Sequence, residues 1–349
     1  MKTFDHRHAT SVDDAIEAVS APGAAFLAGG TNLLDPMKGG VAAPTALVDL
    51  RRLDRTSISV LPGGGVFVEA GATNSAMANH ELIRTRYPLL SQAILSGATT
   101  QLRNMATAGG NLLQRTRCPY FMETSFAACN KRDPGSGCGA LHGFNREHAL
   151  FGVSDACVAV HPSDMAVALS ALNTVVHVQG PNGQRVIPLD RFFALPGDTP
   201  SVDNTLAPAE LILGIELPPS DFADHSWYLK VRDRHSYAFA LVSVAVGLQL
   251  EGGIISSVAL ALGGVSAMPW RLAAAESALV GLPAVRRSFD IAARLATEGA
   301  RPLSQNGYKV DLIRHSVVAA LTSAAIDRSV EDTAPDDTAT DDSGTKEKP

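Results

Sequence analysis

The sequence predicts an α+β protein in two parts: a pair of α+β subdomains over residues 1–58 and 59–219, then a C-terminal α+β domain of antiparallel strands and helices over residues 224–328. Three observations predict it. Short apolar strands and short helices alternate up to Leu217, and two of the Gly-Gly pairs among them, Gly29-Gly30 and Gly109-Gly110, lie beside Thr and Asn. Beyond Pro218-Pro219-Ser220-Asp221, the best candidate linker, long strands come first and helices after. Between Arg115 and Cys157 there is almost no hydrophobic period, and all four cysteines fall there or at its end. A long irregular insert inside a compact domain is uncommon and usually functional.

Composition sets outer bounds. The 349 residues leave room for two or three cores, at 46% hydrophobic and 18% charged. A net charge of −6 implies no general affinity for nucleic acid. Seven acidic residues and two lysines fall between Glu331 and Pro349, so the tail over residues 329–349 is expected to be disordered. No apolar run reaches the length of a membrane span, so no membrane insertion is expected. The stretch Met1–His8 lacks the apolar segment of a signal peptide. The cytoplasm is the default compartment, and periplasmic location by export with a partner is the alternative.

The elements follow in order. Ser11-Val12-Asp13-Asp14 has a capping-box form and precedes a short helix through Ala15, Ile16 and Val19. Ala24–Ala28 reads as a buried strand that runs into Gly29-Gly30-Thr31-Asn32-Leu33-Leu34. Adjacent glycines permit positive φ and let peptide N–H groups approach a ligand, although a plain tight turn has the same signature. Thr45–Leu50 is a further strand, with Asp49 and Arg51 expected at the surface. Leu61–Gly65 reads as a break between subdomains, Val66–Ala70 as a strand, and Gly71–Asn74 as a capping turn. Helices are expected at Ser75–Arg84 and Leu89–Ser96, ahead of a second pair in Thr107-Ala108-Gly109-Gly110-Asn111. Two such turns could line both sides of an elongated anionic ligand. Neither fits the Rossmann or P-loop pattern.

Ser163 can cap a helix from Met165 to Leu172. Thr174–Gln179 and Gln184–Pro188 alternate around a Gly180–Gly183 hairpin turn. A short helix is expected at Asp190–Leu195 and a strand at Glu210–Leu217. The last part shows strands at Trp227–Arg232, Ala238–Leu250 and Ile254–Leu262, then helices at Pro269–Val280, Ala284–Glu298 and Lys309–Asp327.

Cys118, Cys129, Cys138 and Cys157 are spaced C-x10-C, C-x8-C and C-x18-C among Arg115, Arg117, Lys131 and Arg132. Four readings compete. Two disulfides suit an exported protein. A structural zinc site normally shows paired C-x2-4-C knuckles, and none is present. Unrelated buried thiols sit poorly in a polar loop. An iron–sulfur cluster needs four thiolates converging from a loop, and the basic side chains would offset its charge.

The Gly-Gly turns and the cysteine insert together resemble the FAD-binding (medium) subunits of the molybdenum hydroxylases, the xanthine dehydrogenase and aldehyde oxidoreductase group. Within that group the likeness is to bacterial aldehyde oxidoreductase FAD subunits with an extra [4Fe–4S] cluster. Ala28–Leu34, Arg103-Asn104 through Gly109-Gly110-Asn111, Cys118–Phe121, Cys129–Cys138 and Cys157 through Asp164 carry it. The resemblance implies two subdomains of the PCMH-like flavin-binding superfamily clasping extended FAD, followed by a C-terminal domain. It implies that Leu27, Ala28, Gly29, Gly30, Thr31, Asn32, Leu33 and Leu34, with Thr107, Gly109, Gly110 and Asn111, hold the pyrophosphate through backbone amides. Asp164 matches an acidic residue near the adenosine and pyrophosphate, Ile212 and Leu213 match a strand beside the flavin, and Lys230 matches a lysine near the flavin ring. Cys118, Cys129, Cys138 and Cys157 carry over as [4Fe–4S] ligands.

Read from its own residues, Asp164 could equally cap its helix, Lys230 could be a solvated strand residue, and His161 a satisfied buried histidine. No residue is assigned a catalytic role. The implied function is a redox relay. A large subunit carries the molybdenum cofactor, a small subunit carries [2Fe–2S] clusters, and FAD in this chain passes the electrons to an external acceptor. A stand-alone flavin oxidase and a zinc-stapled interaction module are the alternatives.

Overall fold

The computed structural model describes residues 1–326, so the acidic tail lies outside the described residues. The first sheet is parallel: β1 (Asp5–His8), β2 (Ala24–Leu27) and β3 (Ala46–Asp49), in the order β1-β3-β2. β1 and β2 are the outer strands, and the helix Val12–Val19 lies in the crossover that joins them. Its cap is Ser11, whose hydroxyl accepts the Asp14 N–H at 3.0 Å. Asp49, expected at the surface, is fully buried. It ends the middle strand with a neighbour on each side, and Arg51 supplies Nε at 3.0 Å and Nη2 at 2.6 Å to its carboxylate. A buried charge persists when paired in this way.

The second sheet holds β4 (Ile58–Val60), β5 (Val66–Glu69), β6 (Val175–Gly180), β7 (Gly183–Pro188) and β8 (Leu211–Leu217), antiparallel in the order β4-β5-β8-β6-β7. Leu61–Gly65 is therefore not a break between subdomains. It is the hairpin tip joining β4 to β5, closed by bonds from the Gly64 N–H to the Leu61 carbonyl and from the Leu61 N–H to the Gly65 carbonyl. The helix expected at Ser75–Arg84 splits into Asn74–Asn79 and Glu81–Arg86. His80 turns out of helical geometry (ψ 134°), and its Nδ1 accepts the Leu82 N–H. Only a 3-10 turn, Leu189–Arg191, forms where a helix was expected at Asp190–Leu195.

In the C-terminal domain β9 (Ser226–Val231), β10 (Val242–Glu251), β11 (Ile254–Gly263) and β12 (Trp270–Arg271) form an antiparallel sheet in the order β12-β11-β10-β9. Gly252 and Gly253 both have positive φ (60° and 80°), as a two-residue hairpin turn requires. Ala238–Leu241 stays outside β10, and the first helix begins only at Ala273 because Trp270 and Arg271 join the sheet edge. Helices Arg286–Leu295 and Tyr308–Ala324 complete this core. The helix Asp164–Ala171 is buried on nearly every side, the pattern of an interior helix. It packs between the helix Pro88–Ser96 and strands β10 and β11, so its first turn lies at the junction of the two domains.

Candidate cofactor site and cysteine nest

β2 delivers the chain directly into Gly29-Gly30. A Cβ on Gly29 would overlap the Met105 carbonyl, and Gly30 has φ +75°. The five amides from Gly29 to Leu33 find no acceptor among the described residues; the next, Leu34 N–H, turns back onto the Gly30 carbonyl at 3.1 Å. Consecutive unpaired N–H groups in a turn form a concavity for an anion.

The second pair is built differently. Thr107 caps the short helix Ala108–Leu112. The amide of Ala108 donates to the Ala72 carbonyl and that of Gly109 to the Ala70 carbonyl, each at 2.9 Å; that of Asn111 donates to the Thr107 carbonyl at 2.8 Å. The Gly110 amide donates to Thr107 Oγ1 at 3.2 Å. All four are engaged within the protein, so a ligand here meets side chains and carbonyls instead of bare amides. The two turns are tied together by Asn32, whose Nδ2 donates to the Gly110 carbonyl at 3.0 Å. Arg117 donates to Asn32 Oδ1 at 2.9 Å, and the Ser163 hydroxyl donates to Asn111 Oδ1 at 2.5 Å. Ile212 and Leu213 are buried beside the second turn: the Ala70 N–H bonds the Leu213 carbonyl, and a Cβ on Gly109 would touch Ile212.

Asp164 does not cap its helix. Ser163 does, accepting the Ala166 N–H at 3.0 Å. The Asp164 carboxylate takes Lys230 Nζ at 2.7 Å and the Tyr228 hydroxyl at 2.8 Å. Nor is Lys230 a solvated strand residue: its side chain is 4% exposed. Tyr228 escaped the sequence reading, although alternation along β9 places residues 228 and 230 on one face. Burial, with the Asp164 charge beside it, raises its phenol well above the usual range. A cleft opens next to this group, lined among others by Arg117, Cys118, His161, Ser163, Asp164 and Phe239. His161 presents an Nε2 with no hydrogen-bond partner, and burial lowers its pKa to about 4, so the ring is neutral.

The cysteine segment owes its shape to polar side chains. Arg132 donates to the Tyr120 and Phe121 carbonyls at 2.7 and 3.0 Å, and Asn130 Oδ1 receives the Gly135 and Gly137 amides at 3.0 and 2.8 Å. Lys131 and Arg115 both hold Asp203. Asn145 and Lys309, each fully buried, bind the far end of the segment to the C-terminal domain; Lys309 Nζ donates to the carbonyls of Glu147, His148 and Gly264. Inside this frame all four thiols are free, and all four line one cavity. Burial pushes Cys118 up to about 12 and raises Cys157, so as bare thiols they are inert and only a metal would hold them as thiolates. Among the described residues, the one set of three or more ligand atoms lying within 4.8 Å of one another is His6, His8 and Asp49. No three of the four sulfurs are therefore gathered as closely as the roughly 3.8 Å edges of a tetrahedral zinc–thiolate site require. His148 Nε2 lies 3.1 Å from Cys118 Sγ, a neighbour that no spacing in the chain announces.

Comparison with known proteins agrees with this architecture. The family described as the FAD binding domain in molybdopterin dehydrogenase matches residues 2–220, and the CO dehydrogenase flavoprotein C-terminal domain matches residues 227–328. The chain is 47% identical to the aldehyde oxidoreductase FAD-binding subunit PaoB of Escherichia coli K12, over 93% of this chain and 99% of that one. It is 26% identical to the glyceraldehyde dehydrogenase medium chain of Sulfolobus acidocaldarius, over 92% of this chain and 96% of that one. In fold it resembles a chain of the CO dehydrogenase of Oligotropha carboxidovorans, with a TM-score of 0.73, 21% identity, and coverage of 93% of this chain and 98% of that one.

Proposed function

The chain belongs to the FAD-binding subunits of the molybdenum hydroxylases, and from that membership we propose that it is the electron-relay subunit of an aldehyde-oxidising enzyme, carrying both FAD and a [4Fe–4S] cluster. The Gly29–Leu33 amides would hold the FAD diphosphate, with Asn32 and Arg117 fixing that turn against the second one. Asp164, Lys230 and Tyr228 would fix the angle between the domains that border the cleft. Cys118, Cys129, Cys138 and Cys157 would ligate the cluster.

When bound, the flavin takes electrons singly and releases one or two, while a cluster exchanges one at a time. The proposed flow runs from the molybdenum cofactor of a large subunit through [2Fe–2S] clusters of a small subunit to this chain, and on to an external acceptor. The cysteine nest serves to tune or stiffen the subunit and need not lie on that route.

The observation that carries the proposal is a shared wall: Thr116, Cys118 and His148 line both the cleft and the cysteine cavity. The visible spectrum of the purified chain, with iron and acid-labile sulfide counted per flavin, tests it. A flavin band with a broad iron–sulfur shoulder that vanishes in Cys138→Ser supports the relay with its cluster. A flavin band without iron removes the cluster, and a colourless zinc protein removes the relay. Co-purification with two further subunits is expected, and a catalytically complete single chain would overturn the assignment.

A further inference from the structure

One polar cluster in the first sheet has no part in the relay. Side chains alternate along β1, so His6 and His8 point to one face, and the parallel register sets His8 directly against Asp49 on β3. His6 Nε2 lies 3.2 Å and His8 Nδ1 3.4 Å from the same oxygen, Asp49 Oδ2. All three ligand atoms lie within 4.8 Å of one another. Asp49 is fully buried, whereas the two imidazole side chains are 38% and 32% exposed, so the cluster opens to solvent on the histidine side.

These spacings have a chemical meaning. A divalent cation about 2.0–2.1 Å from each of its donors at tetrahedral angles keeps them roughly 3.3–3.4 Å apart. Hydrogen bonding accounts for the approach of His6. It does not account for His8, whose Nδ1 is shut off from water and has no hydrogen-bond partner, yet lies 3.4 Å from the same carboxylate oxygen. We propose that His6, His8 and Asp49 form a binding site for a divalent transition-metal ion of the zinc type, with water completing its coordination. Two imidazoles and a carboxylate suit such ions better than calcium or magnesium, which take oxygen ligands.

Arg51 is the competitor. Its Nη2 lies 2.6 Å from the same Oδ2, and two positive groups cannot share that oxygen cheaply. The Arg51 side chain is 55% exposed and free to swing outward, while its backbone N–H keeps the other oxygen, Oδ1, at 3.0 Å. The cation therefore displaces a guanidinium arm without unfolding the strand end. Asp49 is also in register with Leu27, and the Leu50 N–H bonds the Leu27 carbonyl. A bound ion would tie β1 to β3 at the end of the sheet where β2 runs into the Gly29–Leu33 turn, and would stabilise the fold by mass action.

The test uses the full chain as purified with its cofactors, washed with a chelator and titrated with zinc by calorimetry, with cadmium NMR as the second readout. The expected result is a single equivalent of zinc lost in His8→Gln, about tenfold tighter binding in Arg51→Gln, and a cadmium resonance in the nitrogen and oxygen range, far upfield of thiolate-bound cadmium. A His8→Gln chain that binds zinc like wild type overturns the proposal, as does a resonance only in the thiolate range, which would place the ion in the cysteine nest. Asp49 is left intact because removing a buried, paired carboxylate endangers folding itself.

Discussion

The two Gly-Gly turns look alike in sequence and differ in what their amides do. In the first, five consecutive N–H groups are without an acceptor among the described residues. In the second, the corresponding groups are all engaged, two of them by the carbonyls of Ala70 and Ala72 from another part of the chain. The first turn is arranged to receive something, and the second to brace it: Gly110 offers its carbonyl to Asn32, and Gly109 lets the helix start lie against Ala70. A glycine pair therefore reports close approach, and only the hydrogen-bond inventory says whether the approaching partner is a ligand or the protein itself.

The sharpest test of that difference is Gly29→Ala. The new methyl would collide with the Met105 carbonyl, a backbone atom that cannot rotate away. We expect more than about 3 kcal/mol of destabilisation and nearly complete loss of flavin, read from absorbance per chain. Retention of normal flavin would break the assignment of the first turn.

Lys230→Met comes next. It leaves the Asp164 carboxylate at the domain junction with only the Tyr228 hydroxyl. Removing one partner of a buried pair is costly, and the surviving hydrogen bond points to the lower end of the usual range, about 3 kcal/mol by denaturant unfolding. If stability holds while the flavin spectrum shifts, Lys230 addresses the ligand directly and is not mainly a brace.

His161 gives a smaller, pH-dependent effect. Burial holds its folded pKa at about 4, below the ordinary value of 6.5, while the Leu112 carbonyl at the end of the second turn pulls the other way. The unfolded chain thus binds more protons between those values. The stability from this group is fully present above about pH 6.5 and is lost as pH falls toward 4. Between pH 7 and pH 5 we expect about 1–2 kcal/mol of loss, and a flatter profile in His161→Gln.

Much of the frame was legible because it depends on local rules. Ser11, Thr73 and Ser163 cap where the sequence says they should, and the Gly180–Gly183 and Gly252-Gly253 turns close hairpins. β1 was invisible, since Asp5-His6-Arg7-His8 is short, charged and mostly exposed, with nothing apolar to alternate. β4 does alternate, but Ile58-Ser59-Val60 is only three residues long between Ser57 and a Pro-Gly turn, too short for the alternation to stand out. The residue types around the cysteines were legible, but their gathering around one cavity depends on Asn130, Arg132 and Asn145 reaching across loops. The Asp164–Lys230 pair joins residues of two domains, and no local pattern announces which carboxylate a strand lysine will meet.

The gentlest change closes the comparison. A Cβ on Gly110 meets a single close neighbour, Thr107 Oγ1 at 3.0 Å, which belongs to a side chain. The residue sits in a helical turn with φ outside the positive range, where alanine is favoured over glycine by roughly 1 kcal/mol. That gain and the crowding of the Thr107 cap oppose each other, so Gly110→Ala should shift stability by less than about 1 kcal/mol. The Gly110 N–H is already bonded and its carbonyl still reaches Asn32, so flavin content should stay near wild type. A variant that folds normally yet loses flavin as completely as Gly29→Ala would mean that the second turn also grips the ligand through its backbone, after releasing Thr107, and the division between a receiving turn and a bracing one would fall.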